Sequence, residues 1–325
     1  MKMRSGRWLA AGAGAALALG LLGGASQATP LRVGKPQGEV FSFVPLDVGI
    51  EEGIFKKHGV DVAEIDLGGA AKLQQALAAQ AIDIGLGSGP ALAFIAKGAP
   101  QLGIAAMAGP PLVMTLIVAK DGPIKTVADL KGKTVSISSP GGVPEWMVRE
   151  LSRRQGWGPD GIKMIGLGSD SAQVAAMRTN QVVGMPNDIG VAEKLEDEGI
   201  ARILVRFGDI VPTFIMHVIF AGDDVIQKRP DDLRRFLAGW FDTIAYMRAH
   251  KADVVRIGAQ VTHVSPAIES RVYDAVMPMF SSTGRFDPKA TAILARSFVE
   301  LKLLPTEPDM TKLYTEKFLP ATAAK

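Results

Sequence analysis

Between Leu31 and Val205, short apolar runs alternate with helix-forming segments, and no other feature constrains the chain as much. A strand that pairs in parallel with the next needs a long covering connection, usually a helix. Alternation of this kind therefore predicts an α/β architecture, with a largely parallel sheet and helices over its faces. Strands are predicted at Leu31–Gly34, Val60–Leu67, Ile82–Leu86, Leu102–Ala108, Leu112–Ala119, Thr134–Ile137, Lys163–Leu167, Val182–Met185, Ala201–Val205 and Phe214–Ala221. Helices are predicted at Phe41–Lys57, Ala70–Ala79, Ala91–Lys97, Val143–Arg154, Ala172–Arg178 and Gly190–Glu198. After Gly222 the pattern turns helical: Asp231–His250, Ala252–Gln260, Pro266–Phe280, Lys289–Leu303 and Met310–Phe318. Pro230, Pro266 and Pro288 stand at or near helix starts, where a missing N–H costs nothing.

The alternation also repeats. Leu67-Gly68 and Leu167-Gly168 lie 100 residues apart, and each opens the same order of strand end, loop, helix, strand, loop and helix. The expected architecture is two related lobes with a helical C-terminal tail on the first. Two long apolar stretches, Leu112–Ala119 and Phe214–Ala221, would carry the chain across and back. The expected division is residues 29–115 with 220–325 as lobe 1, and 116–219 as lobe 2. Two lobes joined by two crossings leave a cleft able to close by hinge motion.

Residues 1–28 read as a secretory signal peptide. Lys2, Arg4 and Arg7 precede an apolar run from Trp8 to Leu22, and Ala25-Ser26-Gln27-Ala28 offers a cleavage site of small residues. The run is short for a hydrocarbon core of about 30 Å. The chain carries 36 basic and 33 acidic side chains. The signal segment holds three of the basic ones and none of the acidic, which leaves 33 against 33. A near-neutral mature chain gives no support to a nucleic-acid partner. A soluble, exported product is expected.

Catalytic signatures are missing from the sequence. There are 0 cysteines and 4 histidines. No metal-binding H-E-x-x-H, phosphate-loop or G-x-S-x-G pattern occurs. No enzyme activity, cofactor or metal is expected. The loops after strands are more informative, because ligands of open α/β sheets bind beyond the strands' carboxyl ends. Those loops supply Gln37, Gly38, Glu39, Gly69, Ser88, Gly89, Ser139, Gly141 and Gly142 as candidate contacts. Several precede helices, whose first N–H groups can take ligand oxygens. Glu145 and Trp146 follow in the first turn of a predicted helix. Asn187 and Asp188 end a second-lobe strand, and Phe214 and His217 lie on the return crossing. Trp146 either stacks on a planar ligand or faces a core. Glu145 with His217 is the one pairing that an enzymatic reading would use.

Four segments in order carry a family resemblance: EGIFKKHGVDV at Glu52–Val62, LAAQAIDIGLGSG at Leu77–Gly89, IKTVADLKGKTV at Ile124–Val135 and AMRTNQVV at Ala176–Val183. Together they resemble the solute-binding proteins of ABC importers for sulfonates, nitrate and taurine, and their relatives that bind thiamine-precursor pyrimidines. The resemblance implies a two-lobed periplasmic receptor, monomeric, that closes on one small molecule and delivers it to a membrane permease. It implies cleft contacts from Pro36–Glu39, Gly87–Gly89 and Ser139–Gly142. Two departures stand out: Asn180-Gln181-Val182-Val183-Gly184 where the family pattern is Gly-Gln-Val-Asp-Ala, and no arginine in the Pro140–Trp146 segment. A sulfonate-, nitrate- or taurine-like anion is the favoured ligand class. A planar nitrogen heterocycle such as a pyrimidine is the alternative, and an enzyme on the same scaffold is a further one.

Overall fold

The computed structural model describes residues 29–138 and 140–321. The expected signal peptide and Ser139 lie outside the described residues. The first sheet contains β1 (Leu31–Lys35), β2 (Val62–Asp66), β3 (Ile84–Ser88), β4 (Gln101–Ala108) and β10 (His217–Gly222), in the order β2-β1-β3-β10-β4. β1 pairs in parallel with β2 and β3, whereas β10 runs antiparallel to both β3 and β4. In the second lobe β5 (Met114–Ala119) lies between β8 (Gly184–Asp188) and β9 (Ala201–Arg206), antiparallel to both. β6 (Thr134–Ile137) and β7 (Lys163–Gly166) form a parallel pair beside β8, tied to it by Val183 N–H donating to Thr134 O at 2.9 Å.

Both lobes thus share one plan. Each takes its antiparallel strand from the other half of the chain, β5 in the second lobe and β10 in the first. The expected largely parallel direction holds in the first sheet for all strands but the crossing one, since β4 runs with β1, β2 and β3 and β10 alone is reversed; a crossing strand enters from the opposite lobe without a covering helix. The expected limits at 115/116 and 219/220 fall inside β5 and β10.

The repeat extends to backbone detail. Gln80 and Asn180 both take left-handed φ, 58° and 57°, just past helices α3 (Ala70–Ala78) and α6 (Asp170–Arg178). Asparagine tolerates this conformation better than most residues, which accounts for Asn180 at a position where the family pattern has glycine.

The other helices cover the sheets. The predicted helix Phe41–Lys57 is broken into a 3-10 turn at Phe41–Phe43, α1 (Val44–Glu51) and α2 (Ile54–Lys57). The break falls at Gly53, whose φ of 65° ends α1. α4 (Leu92–Ala96) follows β3, while α5 (Val143–Arg154), α7 (Ile189–Asp197) and α8 (Phe207–Ile210) belong with the second sheet. The tail contributes α9 (Asp223–Lys228), α10 (Pro230–Ala249), α11 (Lys251–Thr262), α12 (Pro266–Val276) and α13 (Pro288–Glu300). α10 packs on the first lobe, where Phe236 stacks on Phe55 with ring centroids 5.1 Å apart. The predicted helix Met310–Phe318 is only a 3-10 turn at Met310–Lys312. Its backbone is used differently: Thr315 N–H donates to Gly103 O at 2.8 Å, and Gly103 N–H to Leu313 O at 3.1 Å. Among the described residues, no helix is long and apolar enough to cross a membrane.

Candidate functional site

The carboxyl ends of β3 and β8 occupy equivalent places in the two lobes. Ser88 ends β3 and precedes a 3-10 turn; Asp188 ends β8 and caps α7, its Oδ1 accepting from Gly190 N–H at 2.8 Å. Each pairs with the first residue of a crossing strand, Ser88 with His217 and Asp188 with Met114. α12 runs between the lobes. Its Tyr273 meets Phe41 edge-on at 6.4 Å, and its Val272 lies against Gly190 at the start of α7.

His217 is buried, with Phe43 edge-on at 5.2 Å. Burial pushes the imidazole down to about 3, so the ring is neutral at physiological pH. Its Nδ1, together with Asn187 Nδ2 and Ser42 Oγ, is buried without a hydrogen-bond partner among the described residues. Asn187 Oδ1 accepts from Asp188 N–H at 2.7 Å, so the side chain is held by its oxygen while its amide N–H₂ stays unpaired among the described residues. Buried polar atoms left unpaired are costly, and a ligand that pairs with them recovers that cost.

Asp188 faces a second carboxyl. Burial, with the Asp170 charge adding to it, pushes Asp188 up to about 7 against the opposing Gly190 N–H. Glu269 on α12 is likewise pushed up to about 7, by burial first and by Asp188 in addition. Thr262 donates to Glu269 Oε2 at 2.9 Å, while Oε1 has no partner. Sequence reasoning missed Ser42, Phe43 and Glu269. Glu269 sits in the amphipathic pattern of a tail helix, and nothing local marks which lobe that helix meets.

Gly89 makes the closest backbone approach of the site. Its N–H donates to Met216 O at 2.9 Å, and a Cβ here would overlap the Ile215 carbonyl oxygen. Gly89→Ala is expected to force the β3 end away from the return crossing, at a cost of about 1–3 kcal/mol. Urea unfolding checks this; a variant within 0.5 kcal/mol of wild type, roughly the scatter of neutral surface changes, contradicts the close packing.

The remaining candidates are placed as follows. Gln37 and Glu39 are exposed, and Gly38 N–H donates to Asp66 Oδ2 at 3.1 Å. Gly69 precedes α3, and Gly142 precedes α5. Gly141, with φ of 80°, donates its N–H to Glu145 Oε2 at 2.7 Å, and Arg149 Nε holds Glu145 Oε1 at 2.9 Å. No hydrogen bond joins Glu145 to His217 among the described residues. Trp146 is buried and stacks on Phe214, with centroids 4.9 Å apart and planes 18° from parallel. Its indole N–H donates to Glu300 Oε2 at 2.6 Å. The core alternative for Trp146 is therefore the observed one, and Phe214 is its neighbour. Around them lies an ion cluster between α5 and α13. Arg153 reaches Glu300 at 2.8 Å and also pairs with Glu150, while Arg296 bonds Glu300 at 3.5 Å. A second cluster joins α12 to α7 through Arg271, 2.7 Å from Glu193 and 2.9 Å from Asp197. No group of three or more His, Asp or Glu side chains gathers as metal ligands among the described residues.

Comparison with known proteins adds the family. A family model described as NMT1/THI5 like matches residues 40–254. The chain belongs to the NMT1/THI5-like family. A comparison with curated protein sequences finds no match. Among solved structures, the alkanesulfonate-binding protein SsuA from Xanthomonas axonopodis pv. citri, bound to MOPS, aligns with TM-score 0.74 and 20% identity, covering 90% of this chain and 99% of that one. The periplasmic aliphatic sulphonate binding protein SsuA from Escherichia coli aligns with TM-score 0.74 and 20% identity, over 88% of this chain and 92% of that one. The desulfurization enzyme DSZB also aligns, with TM-score 0.65 and 15% identity over 89% and 97% of the two chains. The NMT1/THI5-like chain thus has the α/β two-lobed fold of periplasmic binding proteins. That fold is shared mainly by binding proteins and also by an enzyme.

Proposed function

We propose that this NMT1/THI5-like protein is the periplasmic solute-binding receptor of an ABC importer, a monomer released from its signal peptide after Ala28. It closes two lobes on a small organic molecule and presents the closed form to a membrane permease. The lobes divide within the crossings before β5 and before β10. One observation carries the reading: in two lobes of the same plan, equivalent strand ends, Ser88 and Asp188, each pair with the start of a crossing strand, and His217 and Asn187 at these ends hold buried polar atoms that lack partners. A ligand touching both lobes favours the closed arrangement by its differential affinity. The ion clusters at α5–α13 and α7–α12 are contacts that opening would break.

A sulfonate-, nitrate- or taurine-like anion is the favoured ligand. Asn187 Nδ2 is a donor, with the α7 N-terminus following directly after Asp188, and neutral His217 can donate from one ring nitrogen. A planar nitrogen heterocycle is a second reading, favoured by one observation: burial raises both Asp188 and Glu269, the Asp188 charge raises Glu269 further, and an N–H donor or cation would relieve both. Trp146 gives it no support, since the indole is buried and stacked on Phe214 and its N–H is engaged by Glu300.

A thermal-shift panel on residues 29–325, after unfolding and refolding to strip bound ligand, tests both. Only a ligand that prefers the native state raises the melting temperature. A rise with sulfonates or nitrate supports the first reading, and a rise confined to pyrimidines and amines supports the second. Turnover of a raised-Tm ligand would overturn the receptor reading.

A further inference from the structure

A groove on the outer flank of the crossings differs in chemistry from the strand-end site. It encloses about 410 Å³. Its floor is Ala106, Ala108 and Gly109, on and just after β4, and these small residues leave the space. Pro110 on one crossing, and Pro212 to Ile215 on the other, form a wall with few backbone donors and restricted motion. The opposite wall is Pro278–Ser282, which extends the first sheet beyond β4. Gly109 N–H donates to Met279 O at 2.7 Å, and Ser281 N–H to Met107 O at 3.0 Å. The groove therefore lies at the β4 edge, with β3 and β10 between it and the Gln37–Glu39 loop after β1. Ser88, Asn187, Asp188 and His217 do not line it.

Two arginines and one aspartate line the groove: Arg248, Arg285 and Asp287. Arg248 Nη2 donates to Phe280 O at 2.8 Å, which anchors the guanidinium at the rim. No carboxylate lies within ion-pair distance of Arg248 among the described residues. Arg285 spends one donor on Glu316, at 3.1 Å. Ser281 Oγ accepts from Gly284 N–H at 2.8 Å, so its O–H remains free to donate. Below this rim lie buried Phe214, Ile215 and Met279. The surface thus offers guanidinium and hydroxyl donors above an apolar wall, two cations against the one carboxylate of Asp287, whose Oδ1 accepts from Lys289 N–H at 2.8 Å. A planar fork of donors matches a carboxylate in two-point contact.

We propose that this groove is a second ligand site, which takes a small organic monocarboxylate with a compact apolar body. It is independent of the strand-end site, and its test needs no ligand there.

Equilibrium dialysis of radiolabelled benzoate against residues 29–325 tests the proposal, with each variant's fold checked by circular dichroism. Wild type is expected to bind one benzoate saturably. Arg248→Gln and Arg285→Gln are each expected to weaken binding by roughly tenfold or more, the usual loss for a charge-assisted hydrogen bond. Thr213→Trp, at a half-exposed position on the wall, should fill the space and abolish binding. Asp188→Asn should leave it unchanged. Arg285 is exposed, so its variant reads the site even if Arg248→Gln disturbs the Phe280 contact. The site is overturned if wild type shows no saturable binding, or if both arginine variants and Thr213→Trp bind normally. Loss of binding in Asp188→Asn alone would place benzoate in the strand-end site and overturn it equally.

Discussion

Lys35→Met is expected to lower the unfolding free energy by about 3–5 kcal/mol at pH 8, the cost of breaking a buried ion pair from one side. Lys35 ends β1 and is among the largest fully buried side chains. Its ammonium lies 2.6 Å from Glu64 on β2 and 3.0 Å from Asp47 on α1, joining two strands and a helix directly below the Pro36–Glu39 loop. Burial alone would lower the lysine, but the Glu64 hydrogen bond and both carboxylate charges outweigh it and hold it raised. One cation cannot fully compensate two anions. Burial and the Glu64 charge push Asp47 up to about 6, against the pull of Lys35. Methionine fills the volume but leaves the two carboxylates facing each other. The native state of the variant then holds protons that the unfolded chain has released, so its deficit grows as pH rises above about 4. The measurement is urea unfolding of wild type and variant at pH 5 and pH 8. A loss below about 1 kcal/mol, within the range of surface pairs, would mean that Lys35 is solvated rather than buried. An equal loss at both pH values would mean that the carboxylates do not carry it. Adding Asp47→Asn to the variant should recover part of the deficit at pH 8.

This pairing also shows what one sequence can and cannot convey. Lys35 stands next to turn residues in a candidate ligand loop, where it reads as a nearby cation for an anion. In the fold it is committed to Asp47 and Glu64, which are 12 and 29 positions away, and no local pattern encodes that choice. The strands were legible because apolar runs bounded by Gly, Pro and Asp mark buried strands whatever their partners. The repeat was legible for the same reason, and the structure adds a detail the sequence reading did not contain, Gln80 and Asn180 in equivalent left-handed positions. Strand direction was not, because β5 and β10 have the same kind of apolar sequence as the parallel strands beside them. Tertiary pairing also overrode helix propensity at Met310–Phe318, where the backbone around Tyr314 joins Gly103. Trp146 sits on an amphipathic helix whose first turn could face ligand or core, and only the positions of Phe214 and Glu300 decide between them. The polar atoms without partners came from side chains that sequence reasoning ranked unevenly. His217 and Asn187 were candidates, whereas Ser42 lies inside an apolar stretch with nothing to single it out.

The Asp188–Glu269 pair gives the second large effect, with the opposite sign. Both carboxyls are raised to about 7 in the folded protein, from ordinary values of 3.8 and 4.5. Between about pH 4 and 7 the native state therefore binds more protons than the unfolded chain, and stability falls as pH rises through that window. Below it both states are protonated and the penalty vanishes; above it the penalty is complete. Asp188→Asn and Glu269→Gln stand in for the protonated acids. Asparagine caps a helix as well as aspartate, so α7 keeps its N-terminal hydrogen bond from Gly190. Each variant is expected to be more stable than wild type by about 2 kcal/mol at pH 8, and unchanged near pH 4. The pair contributes through a shared repulsion, so the double variant should gain less than the sum of the singles. Urea unfolding across pH 4–8 measures this, and a wild-type profile parallel to the variants' would remove the case for raised carboxyls. The same proteins separate the two ligand readings. If a nitrogen heterocycle is bound, it gains its affinity by relieving this pair, and Asp188→Asn should erase its thermal shift. If an anion is bound through Asn187, His217 and the α7 N-terminus, the variant should keep the shift or enlarge it, because a negative charge beside the site is gone.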